Sequence, residues 1–552
     1  MSSLLKAMSI VWKHSRAYFI STFILGIIDI FSVFIIARLN GNVFNSLADS
    51  INRRVVSTDL VRCILMLFGV TILCGGIKLP INYLASLSAT KYNDYLTQRT
   101  VNVSSNVEYS FFDDPKLQNE YQQYLKNSES VLNIFNNITG IAFKIISLTI
   151  STIVALKFNF AIVIITFVIS LPSFFIRKRI EADNYELEKN LNQTNRKINY
   201  FKNIFCSKQF YLELNLFQAH NYFKKILMDE QLNRYNKRKE LNSRNFRRES
   251  FLFGIISVVN ALVNIYIIIY SVSGGLLIGD YTYYMTILNN QKNEIDQAME
   301  LINALHANKK KAENFFSFEA EISKDSSAGN RICEEICEIE FQNVSFKYPG
   351  NVNFALINVN IKINKNQKVA FAGLNGAGKT TLVLLLLRYY VPSDGRILVN
   401  GIDINEYDID SYRKNITTMF QASTIYSLAL KENIKISDLD TYCSDSDLAK
   451  FLEELDILEG DNLNALNISL TKNFDDDGII PSVGQLQRIN LAKTLYRRQV
   501  SLLIFDEPSS SLDALTENNI FSNLLNKYHD STIIMISHNL SNLKKFDKIF
   551  FF

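Results

Sequence analysis

The sequence predicts two folds in one chain: membrane-spanning α-helices in the first half, and an α/β domain built on a parallel sheet in the second. Three observations carry that prediction. The mean hydropathy of +0.04 averages a first half crowded with long apolar segments and a second half balanced like a soluble domain. Basic residues concentrate between Arg177 and Arg248, flanked on both sides by apolar segments. Short apolar runs in the second half, Val369–Ala372, Ser501–Phe505 and Thr532–Ile536, read as buried parallel strands.

Composition excludes several classes. A length of 552 residues allows roughly three or four domains. A net charge of +4 is too small to indicate a nucleic-acid partner. Cys63, Cys74, Cys206, Cys333, Cys337 and Cys443 are scattered, and no second pair or histidine cluster joins Cys333 and Cys337, so reduced thiols are expected rather than a zinc site. The first fifteen residues do not read as a cleavable signal, because the following apolar segment is too long and lacks a small-residue cleavage site.

In chain order, residues 4–16 form an amphipathic pattern with Trp12 as an interfacial anchor. Spans are expected over Ala17–Ala37, Cys63–Leu87, Ile138–Leu156, Phe158–Ile176 and Phe251–Ser273. The second is interrupted by Gly75, Gly76, Lys78 and Pro80. A sixth, Gly279–Leu305, carries Asp280, Lys292, Glu294 and Asp296 and fails on hydropathy. Two arguments restore it. The second-half domain described below must share the cytosol with the N-terminus, which requires an even number of spans, and a helix facing a wet cavity tolerates polar residues. The basic loop from Arg177 to Arg248 marks the cytosolic side, and its helical periodicity predicts that spans four and five continue as long rods. Asp29 lies mid-span and is too short to reach the interface, so it is expected to face a cavity or pair with a cation. Domain boundaries are expected at 1–319 for the membrane part, 320–337 for a polar linker and 338–552 for the α/β domain. Glu338–Phe346 alternates as that domain's first strand.

The chemistry centres on VAFAGLNGAGKTT, Val369 to Thr381. Gly373, Gly378, Lys379 and Thr380 fill the pattern G-x-x-x-x-G-K-[ST] between a strand and a helix, the context of a phosphate-binding loop. Backbone N–H groups of Gly373, Leu374, Asn375, Gly376, Ala377, Gly378, Lys379, Thr380 and Thr381 would cradle an anion at the helix N-terminus. Lys379 would reach the β- and γ-phosphates, and Thr380 would place its hydroxyl on Mg²⁺. The chain is therefore expected to bind a nucleoside triphosphate. SLLIFDE, Ser501 to Glu507, is a buried strand ending in two acids; Asp506 would hold the metal and Glu507 would polarise an attacking water.

In this order and spacing the residues resemble the ATP-binding cassette exporters along nearly the whole chain. The resemblance implies that Tyr348, in SFKYPG, stacks on adenine, that Gln421, in MFQ, links Mg²⁺ to the membrane domain, and that His538, in ISHN, contacts the γ-phosphate. SSSLD, Ser509 to Asp513, resembles the segment that communicates across a dimer. The family signature LSGGQ appears as Pro481-Ser482-Val483-Gly484-Gln485. Ser482, Gly484 and Gln485 remain to meet the nucleotide held by an opposite subunit, while Val483 places a branched side chain where glycine allows close approach. Family members continue beyond the position of Phe552 with a hairpin and helix that hold no nucleotide contact. Phe111–Tyr121 and Lys208–Phe217 resemble short cytoplasmic helices that dock on the ATPase. The first of these, with FDDDGII, is most similar to exporters of bacterial lantibiotic peptides. No peptidase domain is read before the first span, so leader cleavage would fall to another protein.

The resemblance implies a half-transporter of six spans and one ATPase domain in a bacterial cytoplasmic membrane, working with ATP and Mg²⁺ as a homodimer or heterodimer. Its expected partners are the lipid bilayer, a second half and a peptide, with no nucleic acid. The alternatives are a multidrug or lipid exporter, or an ATP-gated regulator that does not pump.

Overall fold

The chain is described by a computed structural model for residues 3–271, 273, 277–325, 329–421, 424–458, 463–497, 499–508, 528–537 and 545–552. It separates into two units: Met1–Ser105 with Gln122–Ala320, and Asn106–Tyr121 with Glu321–Phe552.

The first unit is helical. Along the chain run α1 (Ser3–His14), α2 (Arg16–Arg53), α3 (Thr58–Ser104), α4 (Pro115–Asn127), α5 (Ser130–Leu156), α6 (Phe160–Cys206), α7 (Lys208–Leu216), α8 (His220–Tyr270) and α9 (Ile278–Asp325). Helices are forced here, because within a bilayer every backbone group must be satisfied inside its own segment. Among the described residues, α2, α3, α5 and α8 are long and apolar enough to cross a membrane. The expected fourth span begins α6, where the side chains of residues 169–171 and 174 fall outside the described set. The expected sixth lies in α9, where Asp280, Lys292, Glu294 and Asp296 dilute the hydropathy.

Two expectations need revision. The glycines and proline at 75–80 do not break the second span, and α3 runs through Pro80 as one helix of 47 residues; a bilayer penalises a freed carbonyl more than a local bend. The polar stretch from Ala320 does not leave the helix at once, because α9 continues to Asp325. Asn159 starts α6 by accepting the Ala161 N–H at 2.8 Å. The cytosolic rods of α6 and α8 are tied by Lys197–Glu230 at 2.8 Å, Arg248–Asp183 at 2.8 Å and an Arg238–Glu188 pair.

Two intramembrane lysines pair with acids across helices. Lys78 Nζ on α3 meets Asp29 on α2 at 2.5 Å, as Asp29 was expected to require. Lys144 on α5 meets the buried Glu294 of α9 at 3.0 Å.

In the second unit, β1 (Glu338–Phe346), β2 (Leu356–Asn364), β4 (Asp394–Val399) and β5 (Ile402–Asp403) form an antiparallel sheet in the order β2-β1-β4-β5. The other sheet has the order β6-β7-β8-β3-β9 and is parallel throughout. Its strands are β3 (Lys368–Ala372), β6 (Ile416–Met419), β7 (Leu502–Asp506), β8 (Thr532–Ile536) and β9 (Lys548–Phe551). All five residues of β7 and of β8 are buried, which is why their sequences are continuous apolar runs rather than alternating ones. Helices α10 (Lys379–Leu386), α11 (Ile409–Lys414), α12 (Leu430–Lys435), α13 (Asp445–Glu453) and α14 (Val483–Tyr496) complete the described elements that matter below.

The Asp29–Lys78 pair sets a stability test. Asp29→Asn leaves Lys78 unpaired in the bilayer, where a lone charge costs roughly 2.5–3.5 kcal/mol on insertion scales. The expected outcome is a lowered melting temperature in lipid nanodiscs that the exchange Asp29→Lys with Lys78→Asp largely restores.

Candidate functional site

The parallel sheet places its chemistry at one edge. Strands β3 and β7 both pair with β8, in registers that align Phe371 and Asp506 with Ile536. The loops leaving β3, β7 and β8 therefore emerge side by side at the carboxyl ends, the position where open α/β sheets bind ligands.

After β3 the chain turns through the glycine-rich loop into α10. Gly378 has φ 93°, and a Cβ there would lie 2.7 Å from the Ala355 carbonyl oxygen, so only glycine fits both the turn and the space. Lys379 is buried, and its ammonium donates to the carbonyls of Gly373 at 3.0 Å and Leu374 at 2.8 Å. The cation is thus held inside the curl of the loop. Thr380 Oγ1 donates to Asp506 Oδ2 at 3.0 Å, joining the first turn of α10 to the end of β7. Next to it, Gln421 Nε2 donates to Glu507 Oε2 at 2.7 Å. Glu507 sits at φ 50°, in the left-handed region, with its N–H held by Ile536 O at 3.0 Å.

Tyr348 shares a hydrogen bond of 2.8 Å with Thr381 Oγ1. Its ring meets Tyr390 edge-on at 5.4 Å, and the Tyr390 hydroxyl donates to Asp113. Burial first, and then Asp113, raise the Tyr390 phenol above its ordinary pKa, so it remains a donor. Tyr109 packs on both Tyr389 and Tyr390, at 5.3 and 5.7 Å. The segment Asn106–Tyr121 thus belongs to the α/β unit. Sequence reasoning expected that segment to dock on the ATPase, as a short helix over Phe111–Tyr121; the structure forms a 3₁₀ turn at Tyr109–Phe112 and then the start of α4. It missed Tyr389 and Tyr390, whose only signal is a tandem of aromatics after the α10 run.

The signature stretch opens α14. Ser482 caps the helix: its Oγ accepts from Gln485 N at 3.3 Å, and its own N–H donates to Gln485 Oε1 at 2.9 Å. Val483 is exposed, and a Cβ on Gly484 would meet nothing within 4 Å. The structure therefore brings Gly373 to Thr381, Gln421, Asp506 and Glu507 together, with Tyr348 bonded to the start of the helix, and presents Ser482, Gly484 and Gln485 on a separate helix end. His538 and Ser509–Asp513 lie outside the described residues. The adjoining hard oxygens of Thr380 and Asp506 are the donor type that suits a magnesium ion.

Comparison with known proteins agrees with this geometry. Residues 356–510 match the family described as ABC transporter. The chain is 29% identical over 472 residues to the subtilin transport ATP-binding protein of Bacillus subtilis, covering 82% of this chain and 74% of that protein. It is 25% identical over 562 residues to the nisin transport ATP-binding protein of Lactococcus lactis subsp. lactis, covering 98% and 90%. In fold it is similar to a bacterial Atm1-family ABC exporter solved with ATP bound, with a TM-score of 0.74 over 98% of this chain and 94% of that one, at 18% identity. Spanning helices fused to an ATP-binding domain, and relatives matched along most of their length, make this chain an ATP-binding cassette half-transporter of the exporter type, a multi-pass inner-membrane protein that couples ATP hydrolysis in the cytosol to transport.

Proposed function

We propose that the chain exports a peptide, of the lantibiotic kind, by alternating access of a dimer. The observation that carries the peptide reading is similarity to proteins named for subtilin and nisin transport along 82% and 98% of this chain, membrane half included.

At the ATP edge, the loop from Gly373 to Thr381 wraps the phosphates with backbone N–H groups, and Lys379 exchanges its two carbonyl partners for phosphate oxygens. Thr380, Asp506 and Gln421 would hold Mg²⁺, which would supply neutralisation of phosphate charge. Glu507, fixed by Gln421, orients and polarises the attacking water, and His538 contacts the γ-phosphate. Tyr348 stacks on adenine. Ser482, Gly484 and Gln485 close the site held by the opposite subunit, whose signature in turn closes this one. A dimer also explains α7, where Tyr211, Leu212 and Leu216 are exposed together with the following Phe217.

The test is uptake of a fluorescent lanthionine-bridged peptide by proteoliposomes with outward-facing ATPase domains. ATP-dependent accumulation is expected, and Lys379→Ala should reduce both ATP turnover and uptake by about a hundredfold or more through loss of a preorganised charge. ATP turnover stimulated by lipids or hydrophobic amphiphiles but never by peptides would replace the peptide reading with a lipid or multidrug one. Flux that only runs downhill would indicate an ATP-gated path instead of a pump.

Val483 generates a second expectation. Its exposed branched side chain stands at the first turn of α14, where backbone must approach a phosphate. The chain purified alone should hydrolyse ATP slowly, Val483→Gly should raise turnover by about tenfold, and Glu507→Gln should abolish it. That pattern favours pairing with a different half that carries an intact signature. Brisk turnover unchanged by Val483→Gly would remove the argument for a heterodimer.

A further inference from the structure

Charged side chains inside the bilayer are costly and are found paired or facing a cavity. In the inner part of the helical unit this holds for Lys144 with Glu294 at 3.0 Å and for Arg177 with Asp296 at 3.6 Å. Lys292 is the exception. It is half-buried, lies one turn from Asp296 on α9, and has neither ion pair nor hydrogen bond among the described residues. A rise of about 1.5 Å per residue puts it about 21 Å along α9 from Ile278, near the middle of the expected sixth span.

Lys292 lines a narrow, partly open cleft between α6, α8 and α9. Thr166 comes from α6, Asn260 and Asn264 from α8, and Asn289 from the turn before Lys292. Asn260 and Asn264 are four apart on one helix face, and none of the three asparagines has a hydrogen-bond partner among the described residues. The remaining wall is largely aliphatic, formed by residues such as Val263 and Leu288. Since Asp296 is already engaged by Arg177, the cavity's chemistry is one uncompensated cation ringed by amides in an apolar wall.

We propose that this cavity binds an anionic group of the transported substrate, with Lys292 taking a carboxylate and Asn260, Asn264 and Asn289 taking adjacent amide groups. The inference rests on the reading that the helical unit carries a peptide, and narrows that class to peptides with an acidic residue or free C-terminus set among apolar residues. Lys292 is a specificity residue here: the carboxylate supplies the missing counter-charge, whereas a neutral substrate covers the lysine without supplying one.

The experiment uses the full chain in nanodiscs and two fluorescent amphipathic peptides that are blocked at both ends and differ by a single central Glu or Gln. Binding is read by anisotropy on wild type, Lys292→Ala, Lys292→Arg and Lys292→Glu, with thermal melting as a check on folding. A dansyl-labelled fatty acid and its methyl ester form a second pair of probes. The expected result is about tenfold or greater preference for the Glu peptide in wild type, lost in Lys292→Ala and kept in Lys292→Arg, as for truncation of one partner in a desolvated charge pair. Lys292→Glu should reverse the preference. If the peptides do not bind but the fatty acid binds over its ester in a Lys292-dependent way, the anion site stands and the peptide reading falls. A Glu preference that survives Lys292→Ala, or no charge preference for either pair of probes, overturns the site itself.

Discussion

Parallel strands paired in register are the constraint on which the ATP edge depends. β3, β8 and β7 bury both faces, so their backbone groups are satisfied by neighbouring strands, and a slip by one residue would displace the loops that leave their carboxyl ends. That fixed register sets Thr380 and Asp506 within 3.0 Å although 126 residues separate them. The Gln421–Glu507 contact follows from it, because β6 pairs with β7 and delivers Gln421 just past its own end. The apolar core beneath is what gives the polar edge its geometry.

The helical unit works under the opposite rule. There apolar surface costs nothing against lipid, and the placement of charge does the organising. Lys78 joins α3 to α2, Lys144 joins α5 to α9, and Arg177 joins α6 to α9. Each bridge ties helices that hydrophobic packing alone would leave free to slide. Of the charged residues that make α9 a poor span by hydropathy, Asp280, Glu294 and Asp296 hold it in the bundle.

This explains which parts were legible in sequence. β1 and β8 have the bounds that alternation and apolar runs predicted, and β3 and β7 differ by a residue at their ends, because strand periodicity is a local signal. The phosphate loop was legible since its pattern is contiguous in sequence and Lys379 bonds to carbonyls within the loop itself. The sixth span was recoverable only indirectly, through the parity of spans and the tolerance of a cavity-facing helix for polar residues, as its stabilising partners lie on α5 and α6, far away in sequence. Asp113 with Tyr390 carries no local pattern at all: 277 residues separate them, and each alone reads as an ordinary surface acid and a core tyrosine. The helix through Ala320–Asp325 was misread because polar composition resembles a linker when the preceding helix is not yet known to be long.

Glu507 stands in a left-handed backbone conformation that a non-glycine residue adopts at a cost on the order of 1–3 kcal/mol. It is kept there by the Ile536 carbonyl and by Gln421, so the sheet and the neighbouring loop pay for the posture of one carboxylate. Folding and catalysis then pull in opposite directions at this position. Glycine would relax the backbone and favour the folded domain, while deleting the carboxylate proposed to polarise water. On the proposed roles, a chain inactivated by this change would be well folded and abundant, and it would still occupy a place in a dimer that a working half needs.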